Sequence, residues 1–235
     1  MFTHKGTQTI KTERLTLRRF TPDDAQAMVD TWANDERVTR FLTWPAHESV
    51  DVTKFVLDDW CNSYEKQDFY NWAIEFEGKI IGSIGCINTD DNSERGEIGY
   101  CIGYDFWGKG IMSEATTAVI DYLLKEVGYN RLEILHATKN PASGRVAQKC
   151  GLKFEGIKRK YFKAFNGEFL DVAFYSILQS DIADLGYKIH NNNSVASEQF
   201  SIQQKTAEEN KIPLRFFYSF LIIFNICHTL CTDIH

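Results

Sequence analysis

A glycine-containing turn between a strand and a helix constrains the fold of this chain more than any other segment. Residues 97–102 (Glu-Ile-Gly-Tyr-Cys-Ile) have strand character, and an apolar stripe at helical spacing runs from Ala115 to Val127. Between them lies Phe-Trp-Gly-Lys-Gly-Ile-Met-Ser-Glu, residues 106–114. The first N–H groups of a helix have no partner within it, and they carry the positive end of the helix dipole. The turn therefore favours binding of an anion such as a phosphate.

Two common phosphate-binding patterns do not fit this turn. The Walker pattern GxxxxGK[ST] is absent, since Gly108-Lys-Gly110 has neither the four-residue spacer nor the trailing Lys-Ser/Thr. A dinucleotide fingerprint requires GxGxxG, and Ser113 occupies the position of its third glycine. A turn with a purely structural role would also explain two glycines, so the turn alone leaves its ligand open.

The elements around the turn indicate a mixed α/β (α+β) fold. Strands are predicted near residues 14–20, 71–76, 79–87, 97–102, 131–137, 152–162 and 171–178. Helices are predicted from Pro22 to about Asn34, from Ser49, from Ala115 to Gly128, and from Pro141 to Cys150. This order predicts a mixed central sheet of about six to seven strands, flanked by about four helices.

The second predicted helix has its own expected buried face. Its apolar residues recur at three- and four-residue steps, and they are Val52, Phe55, Val56, Trp60 and Tyr64.

The composition changes near residue 186. The whole net charge of −6 lies in residues 1–185, the predicted domain. Residues 186–212 are polar without an apolar period, which is typical of a linker. Residues 213–235 contain a short apolar run, Phe216–Cys227, and a membrane-spanning helix needs about 20 residues. A membrane role is therefore not favoured; a helix packed on the domain, a weak interfacial anchor or a frameshift remnant all fit this tail.

Charge and cysteine usage argue against several classes. An acidic chain lacks the positive field of a nucleic-acid-binding protein. The six cysteines include no CxxC pair, and the N-terminus lacks the apolar core of a signal peptide, which predicts free thiols and a cytoplasmic location. In the tail, the cysteines and histidines of residues 227–235 are too closely spaced for a usual zinc site, so no metal is expected.

Several motifs in chain order resemble the RimJ/RimL-like branch of the GNAT acetyltransferases. They are Thr-Glu-Arg-Leu-Thr-Leu-Arg at 12–18, Glu-Ile-Gly-Tyr at 97–100, the glycine turn, Asn-Pro-Ala-Ser-Gly-Arg at 140–145 with the segment to Gly156, and Asp-Val-Ala-Phe-Tyr-Ser at 171–176. The resemblance covers residues 10–180. It implies the GNAT acyl-CoA N-acyltransferase fold and an enzyme that moves the acetyl group of acetyl-CoA directly to a primary amine.

The resemblance also implies how acetyl-CoA is bound. In this family a Q/R-x-x-G-x-G/A turn binds the pyrophosphate through main-chain N–H groups. The matching residues here are Trp107, Gly108, Lys109, Gly110, Ile111 and Met112. Because main-chain donors do the binding, the departures at Trp107 and Met112 are not expected to abolish it. The resemblance further implies that a main-chain N–H around Cys101 or Ile102 donates a hydrogen bond to the acetyl carbonyl oxygen. It also implies that Asn140 contacts the pantetheine arm, although Asn before Pro also suits a helix entry.

Acetyl transfer requires a base for the amine and a donor near the leaving thiolate. Glu97 is the candidate base, and a solvent-facing or salt-bridged strand carboxylate is the alternative reading. The tyrosine of many GNAT enzymes is replaced by Ala147, whereas Ser143 matches a serine proposed to meet the CoA sulfur. Ser143 could equally satisfy backbone donors in the first turn of its helix. No histidine lies at a nearby motif position to activate Cys101 or Cys150, which favours direct transfer over an acyl-cysteine.

The acceptor side is less constrained by the sequence. Trp44 and His47, in the connection between the first two predicted helices, and Tyr161 are the candidate acceptor-binding residues, with ordinary packing as the alternative. The branch suggests a protein N-terminal α-amine, as in a ribosomal protein. A small amine, polyamine or antibiotic is the second hypothesis, and a non-catalytic acyl-CoA sensor is the third. The acidic domain would suit a cationic acceptor. A monomer or a homodimer is expected.

Overall fold

The computed structural model describes residues 1–182. The strands are β1 (Ile10–Lys11), β2 (Leu15–Arg18), β3 (Tyr70–Phe76), β4 (Lys79–Asp90), β5 (Arg95–Ile102), β6 (Arg131–Ala137), β7 (Lys153–Lys163) and β8 (Phe169–Leu178). The helices are α1 (Ala25–Met28), α2 (Glu36–Thr39), α3 (Val50–Ser63), α4 (Ile111–Asp121) and α5 (Pro141–Lys149). The predicted linker, 186–212, and the predicted tail, 213–235, lie outside the described residues.

All eight strands form one sheet in the order β1-β2-β3-β4-β5-β6-β8-β7. Seven of them correspond to the predicted strands. The eighth, β1, has only two residues and pairs with β2, so it is too short to carry an alternating pattern. The mixed α/β fold class predicted from the sequence is confirmed.

The helices also follow the prediction, with one addition. A 3-10 turn at Pro22–Asp24 leads into α1, which continues as a π-helical turn over Val29–Ala33. Ser49 accepts a hydrogen bond from the N–H of Val52 and caps α3, as its position predicts. The added helix, α2, has four residues, which is about one turn and too short for a hydrophobic period to appear.

The buried face of α3 differs from the predicted stripe. Thr53 and Leu57 are fully buried, whereas Val52 is 41% and Phe55 is 53% exposed. The stripe was wrong at these two positions because an apolar spacing identifies candidate faces but not the one that meets the sheet.

Two apolar cores cover the two faces of the sheet. On one face, Ile98, Leu132 and Ile134 pack with residues of α4 and α5. On the other face, Ala73 and Ile80 pack with residues of α1 and α3. Helices on both faces leave the strand ends as the place where a site can open.

The sheet opens between its two parallel strands. β5 and β6 are paired only over Arg95–Glu97 and Arg131–Glu133. Beyond Glu97, β5 remains paired with β4, and β6 remains paired with β8. The C-terminal halves of β5 and β6 therefore diverge and leave main-chain groups without ladder partners between them.

Candidate active site

A cleft of about 190 Å³ lies where β5 and β6 diverge. Residues of the end of β5, the glycine turn, the first turn of α4 and one side of α5 line it. Nine of the predicted site residues meet here, and they are Cys101, Ile102, Trp107, Gly108, Gly110, Ile111, Met112, Asn140 and Ser143. Lys109 belongs to the same turn, but its ammonium group lies over the ring of Phe106, with Nζ 5.4 Å from the ring centroid.

The glycine turn has the backbone conformation that its sequence predicts. Gly108 and Gly110 both have φ near +75°, in the left-handed region that residues with a Cβ avoid. A Cβ placed on Gly108 would meet no atom within 4 Å, so open space lies above it. Gly110 precedes α4 without a side-chain cap for the first N–H groups of the helix, and the residues of its first turn line the cleft. Open space beside unpaired N–H groups fits a phosphate.

Hydrogen bonds from two residues outside the cleft, Arg14 and Thr12, support the glycine turn and the start of α4. Arg14 donates from Nη1 to the carbonyl oxygen of Lys109 at 3.2 Å and from Nε to Oε2 of Glu114 at 2.7 Å. Thr12 donates to Glu114 Oε1 at 2.6 Å. Burial opposes the charged form of Glu114, but these hydrogen bonds outweigh it and lower the pKa of Glu114. Arg14 thereby neutralises a carboxylate that would otherwise repel an anion at the start of α4.

At the end of β5, the N–H and carbonyl groups of Ile102 face the side of the strand that is not paired with β4. Gly103 N–H donates to Ile81 on β4, and the carbonyl oxygen of Cys101 lies 2.5 Å from the position of a Cβ on Gly82. Peptide groups alternate in direction along a strand, so those of Ile102 face away from β4. The indole Nε1 of Trp107 donates to the carbonyl oxygen of Ile102 at 2.9 Å, which ties the turn to the strand. Of the two predicted positions, Ile102 has its N–H on the cleft side.

At the start of α5, the structure shows which of Asn140 and Ser143 caps the helix, a question that the sequence left open. Asn140 Oδ1 accepts a hydrogen bond from the N–H of Ser143 at 3.4 Å and so caps the helix. The Ser143 hydroxyl is not used for capping; Oγ lies 2.8 Å from the hydroxyl oxygen of Tyr100. Tyr100, which lines the same cleft, was missed because it forms part of the strand motif and reads as a core residue.

Glu97 lies at the point where β5 and β6 begin to diverge. Its Oε2 accepts a hydrogen bond from Asn88 Nδ2 at 2.9 Å, and among residues 1–182 it has no ion-pair partner within 4 Å. Burial raises the pKa of Glu97, and the neighbouring carboxylate of Glu133 raises it further. Glu97 is opposite Glu133 in the strand register, on the face away from Tyr100. It does not line the cleft of about 190 Å³.

Comparison with known proteins identifies the family. A family model described as an acetyltransferase (GNAT) domain matches residues 14–153. The uncharacterized N-acetyltransferase YoaA of Bacillus subtilis (strain 168) is 33% identical over 172 residues, which cover 72% of this chain and 96% of YoaA. The chain belongs to the GNAT acetyltransferase family. It is an N-acetyltransferase of the GNAT type, and the family prediction is confirmed.

Two further similarities refine this placement. The [ribosomal protein uS5]-alanine N-acetyltransferase of Escherichia coli (strain K12) is 28% identical over 165 residues, which cover 65% of this chain and 81% of that protein. The solved structure of a GNAT-family acetyltransferase from Bacillus anthracis is 25% identical, with a TM-score of 0.65 over 74% of this chain and 99% of that one. These relatives agree with the RimJ/RimL-like branch.

In this GNAT enzyme, the predicted acceptor residues lie outside the cleft of about 190 Å³. The rings of Trp44 and His47 are 5.2 Å apart, and His47 Nδ1 is 2.7 Å from the hydroxyl of the buried Thr53. Burial lowers the pKa of His47. Tyr161 packs edge to face on Phe174, with ring centroids 5.1 Å apart. Burial raises the pKa of Tyr161, and the nearby carboxylates add to the effect. A role for these three residues in acceptor binding stays a prediction.

Other residues of the GNAT cleft were not singled out in the sequence. The side near α2 is lined by Arg37, Val38 and Leu42. On α5, Arg145 and Lys149 also line the cleft. They are four residues apart and so share one helix face. That spacing was the signal available in the sequence, but only the opening of the sheet shows that this face borders a cleft.

The cysteines of the described residues are free thiols. Burial raises the pKa of Cys101 to about 12 and the pKa of Cys150 to about 11. Both thiols are therefore protonated at neutral pH, which does not suit a nucleophile.

Within residues 1–182, no group of three or more His, Cys, Asp or Glu side chains could hold a metal ion. In the same part of the chain, no helix has both the length and the apolar composition needed to cross a bilayer.

Proposed function

We propose that this enzyme transfers the acetyl group of acetyl-CoA to the α-amine of a protein N-terminus, of the kind found in ribosomal proteins. The observation that carries the transfer is the cleft between diverging β5 and β6, with a glycine turn and helix N-terminus at one end. The similarity to an enzyme named for acetylating an alanine of ribosomal protein uS5 supports the acceptor class.

The residues of the turn fit acetyl-CoA, which supplies an acetyl group activated as a thioester. The pyrophosphate would be held by the main-chain N–H groups of residues 108–112, where Gly108 leaves open space. Arg145 and Lys149 line the same cleft and add positive charge for phosphate groups. Asn140 lines the cleft together with Ser143 and would contact the pantetheine arm.

The carbonyl oxygen gains negative charge as the amine attacks, so a fixed donor near it lowers the barrier. We assign this role to the N–H of Ile102, because it faces the open side of β5 and has no partner strand there. The main chain is held in place by β4 on one side and by the Trp107 indole on the other. This donor requires no particular side chain at position 102.

Glu97 is assigned as the base for the ammonium form of the acceptor. It is five residues before Ile102, or about 16 Å along the strand at about 3.3 Å per residue. A single water does not span that separation, so Glu97 would take the proton through a chain of waters rather than by direct contact with the amine. Its raised pKa brings it nearer to that of a useful base, and no ion pair with another of residues 1–182 occupies its carboxylate.

Ser143 is assigned as the donor to the leaving thiolate. Ser143 lines the cleft at the start of α5, and the position where many GNAT enzymes carry a tyrosine is Ala147 in this chain. A hydrogen bond to the sulfur stabilises the thiolate as the carbon–sulfur bond breaks. Direct transfer is favoured because both thiols near the cleft, Cys101 and Cys150, are protonated at neutral pH.

The test is release of free CoA thiol by the full chain with a panel of amines. Peptides beginning with Ala or Ser, the same peptides with a blocked N-terminus, spermidine and an aminoglycoside form the panel. We expect turnover with the free-N-terminus peptides and none with their blocked forms. Faster turnover with spermidine or the aminoglycoside would overturn the protein acceptor and favour a small amine. Acetyl-CoA binding without turnover on any of them would leave only the family assignment standing.

A further inference from the structure

Tyr100 is the one polar side chain of β5 that reaches across the open part of the sheet to α5. Its hydroxyl oxygen lies 2.8 Å from Ser143 Oγ and 3.2 Å from the carbonyl oxygen of Ser143. Both residues line the cleft. Nothing in the role assigned to Ser143 explains why a second hydroxyl should lie within hydrogen-bond distance of it.

The pair admits two arrangements of its two protons. If Tyr100 donates to the Ser143 carbonyl oxygen, the Ser143 hydroxyl donates to Tyr100, and the serine proton is used within the pair. If Tyr100 donates to Ser143 Oγ instead, the serine proton is free to point into the cleft. Only the second arrangement makes Ser143 a donor to a group in the cleft, because a hydroxyl has a single proton.

We infer that Tyr100 is a positioning residue for acetyl transfer, which donates its hydrogen bond to Ser143 Oγ and so directs the Ser143 proton towards the leaving thiolate. This inference rests on the proposed role of Ser143. Accepting one hydrogen bond also makes the serine hydroxyl a stronger donor. No proton leaves Tyr100, and neither residue forms a covalent bond.

The surroundings of Tyr100 keep it in the donor form. Burial raises the pKa of Tyr100, and the hydrogen bond with Ser143 offsets this only in part, so the phenol is protonated at neutral pH. Ser143 is held in turn by Asn140, whose side chain accepts from its N–H. Both ends of the pair therefore lie on supported elements, a strand paired with β4 and a capped helix. Ala147, at the position where many GNAT enzymes carry a tyrosine, is buried one helical turn after Ser143.

A double-mutant cycle on the full chain tests the inference. Tyr100→Phe keeps the ring and removes the hydroxyl, Ser143→Ala removes the acceptor, and the double variant removes both. We expect each single variant to lower kcat about tenfold, the size of one lost hydrogen bond, while KM for acetyl-CoA stays within about twofold. The double variant should be no slower than Ser143→Ala, since Tyr100 acts through Ser143.

Two further variants separate positioning from packing. Tyr122→Phe also removes a tyrosine hydroxyl, one that donates to the carbonyl oxygen of Gly6 and does not line the cleft, and it should keep kcat. Ser143→Thr keeps a hydroxyl at position 143, so adding Tyr100→Phe to it should again cost about tenfold, as for one hydrogen bond. Thermal unfolding of each variant shows whether a loss of kcat reflects a loss of folded enzyme.

Three results would overturn the inference. They are wild-type kcat for Tyr100→Phe, multiplicative losses in the double variant, and wild-type kcat for Ser143→Ala, which would also remove the proposed role of the serine. The cycle uses whichever amine the wild type acetylates, so a wrong acceptor class does not affect it. If no amine reacts, slow hydrolysis of acetyl-CoA reports the same leaving-group step.

Discussion

At the scale of single residues, Glu97 combines a cost in stability with a proposed catalytic role. Because its pKa is raised in the folded state, the folded protein binds this proton more tightly than the unfolded chain does. The free energy of unfolding then falls as pH rises from the unfolded pKa through the folded pKa, and the cost is complete above the folded pKa. The ionised form that a base requires is thus the form that folding disfavours.

Glu97→Gln should therefore raise the melting temperature at pH 7 and lower kcat by about 100-fold, the lower range for a lost general base. The stability gain should vanish below the unfolded pKa, near pH 4, where wild-type Glu97 is protonated too. Thermal unfolding at the two pH values and kcat at pH 7 check this. A lower melting temperature at pH 7 would contradict the electrostatic account, and an unchanged kcat would contradict the assignment as base.

Gly108 offers a second prediction at this scale, with a matched control in the same molecule. Gly78, in the turn between β3 and β4, has φ +76°, and a Cβ there would also meet no atom within 4 Å. Alanine at either position should cost about 1–2 kcal/mol of stability, the strain of a left-handed residue. Only Gly108→Ala should also raise KM for acetyl-CoA, because its methyl group would occupy the space assigned to the pyrophosphate. Equal KM values for the two variants would contradict that assignment.

At the scale of elements, the link between the segment before β2 and the start of α4 supports the anion site. Arg14 contacts both the turn and Glu114, and it is more than 90 residues away from either in sequence. Arg14→Gln should raise KM for acetyl-CoA several-fold, because Glu114 would then be unneutralised at the N-terminus of α4. The control is Arg18→Gln at the other end of β2, where Arg18 pairs with Asp24 and Glu75. It should lower stability and leave KM unchanged; a similar rise in KM for both variants would indicate a general effect of loosening β2.

Elements also differ in how well their sequences reveal them. The break between β3 and β4, the helix start at Ser49 and the end of α5 near Cys150 depend on local signals, and each was found where it was predicted. The exposure of Phe55 on α3 was not predicted, because whether an apolar residue is buried depends on which face of the helix meets the sheet. Helix α2 was not predicted, because a single helical turn is too short to show a hydrophobic period.

At the scale of the whole molecule, the eight strands of the sheet and the five helices that accompany it all lie within residues 1–182. A chain that ends at residue 185 should therefore fold with an unchanged melting temperature and keep the kcat of the full chain. Thermal unfolding and thiol release with the same acceptor check this, and size-exclusion chromatography shows whether the shorter chain aggregates. Aggregation or a lower melting temperature would mean that residues 186–235 cover apolar surface of the domain, against the prediction that the domain is self-contained.

The sequence by itself determined the order of the elements, the fold class and the position of the glycine turn. These rest on local patterns: alternation, helical spacing, caps and glycines that need positive φ. The family came from a different signal, the resemblance of several motifs in chain order to the GNAT acetyltransferases. The sequence also identified Ser143 and Asn140, but their roles could not be separated, because one-dimensional spacing does not show which group each side chain meets.

Only the tertiary structure decided where the active cleft opens and which residues share it. The three-residue pairing of β5 with β6 is a matter of register between strands about 35 residues apart, and no local pattern encodes it. Where the two strands diverge, the N–H of Ile102 faces the open side and Tyr100 contacts Ser143, whereas Trp44, His47 and Tyr161 lie outside the cleft. Long-range packing, rather than the preference of any residue, places these groups.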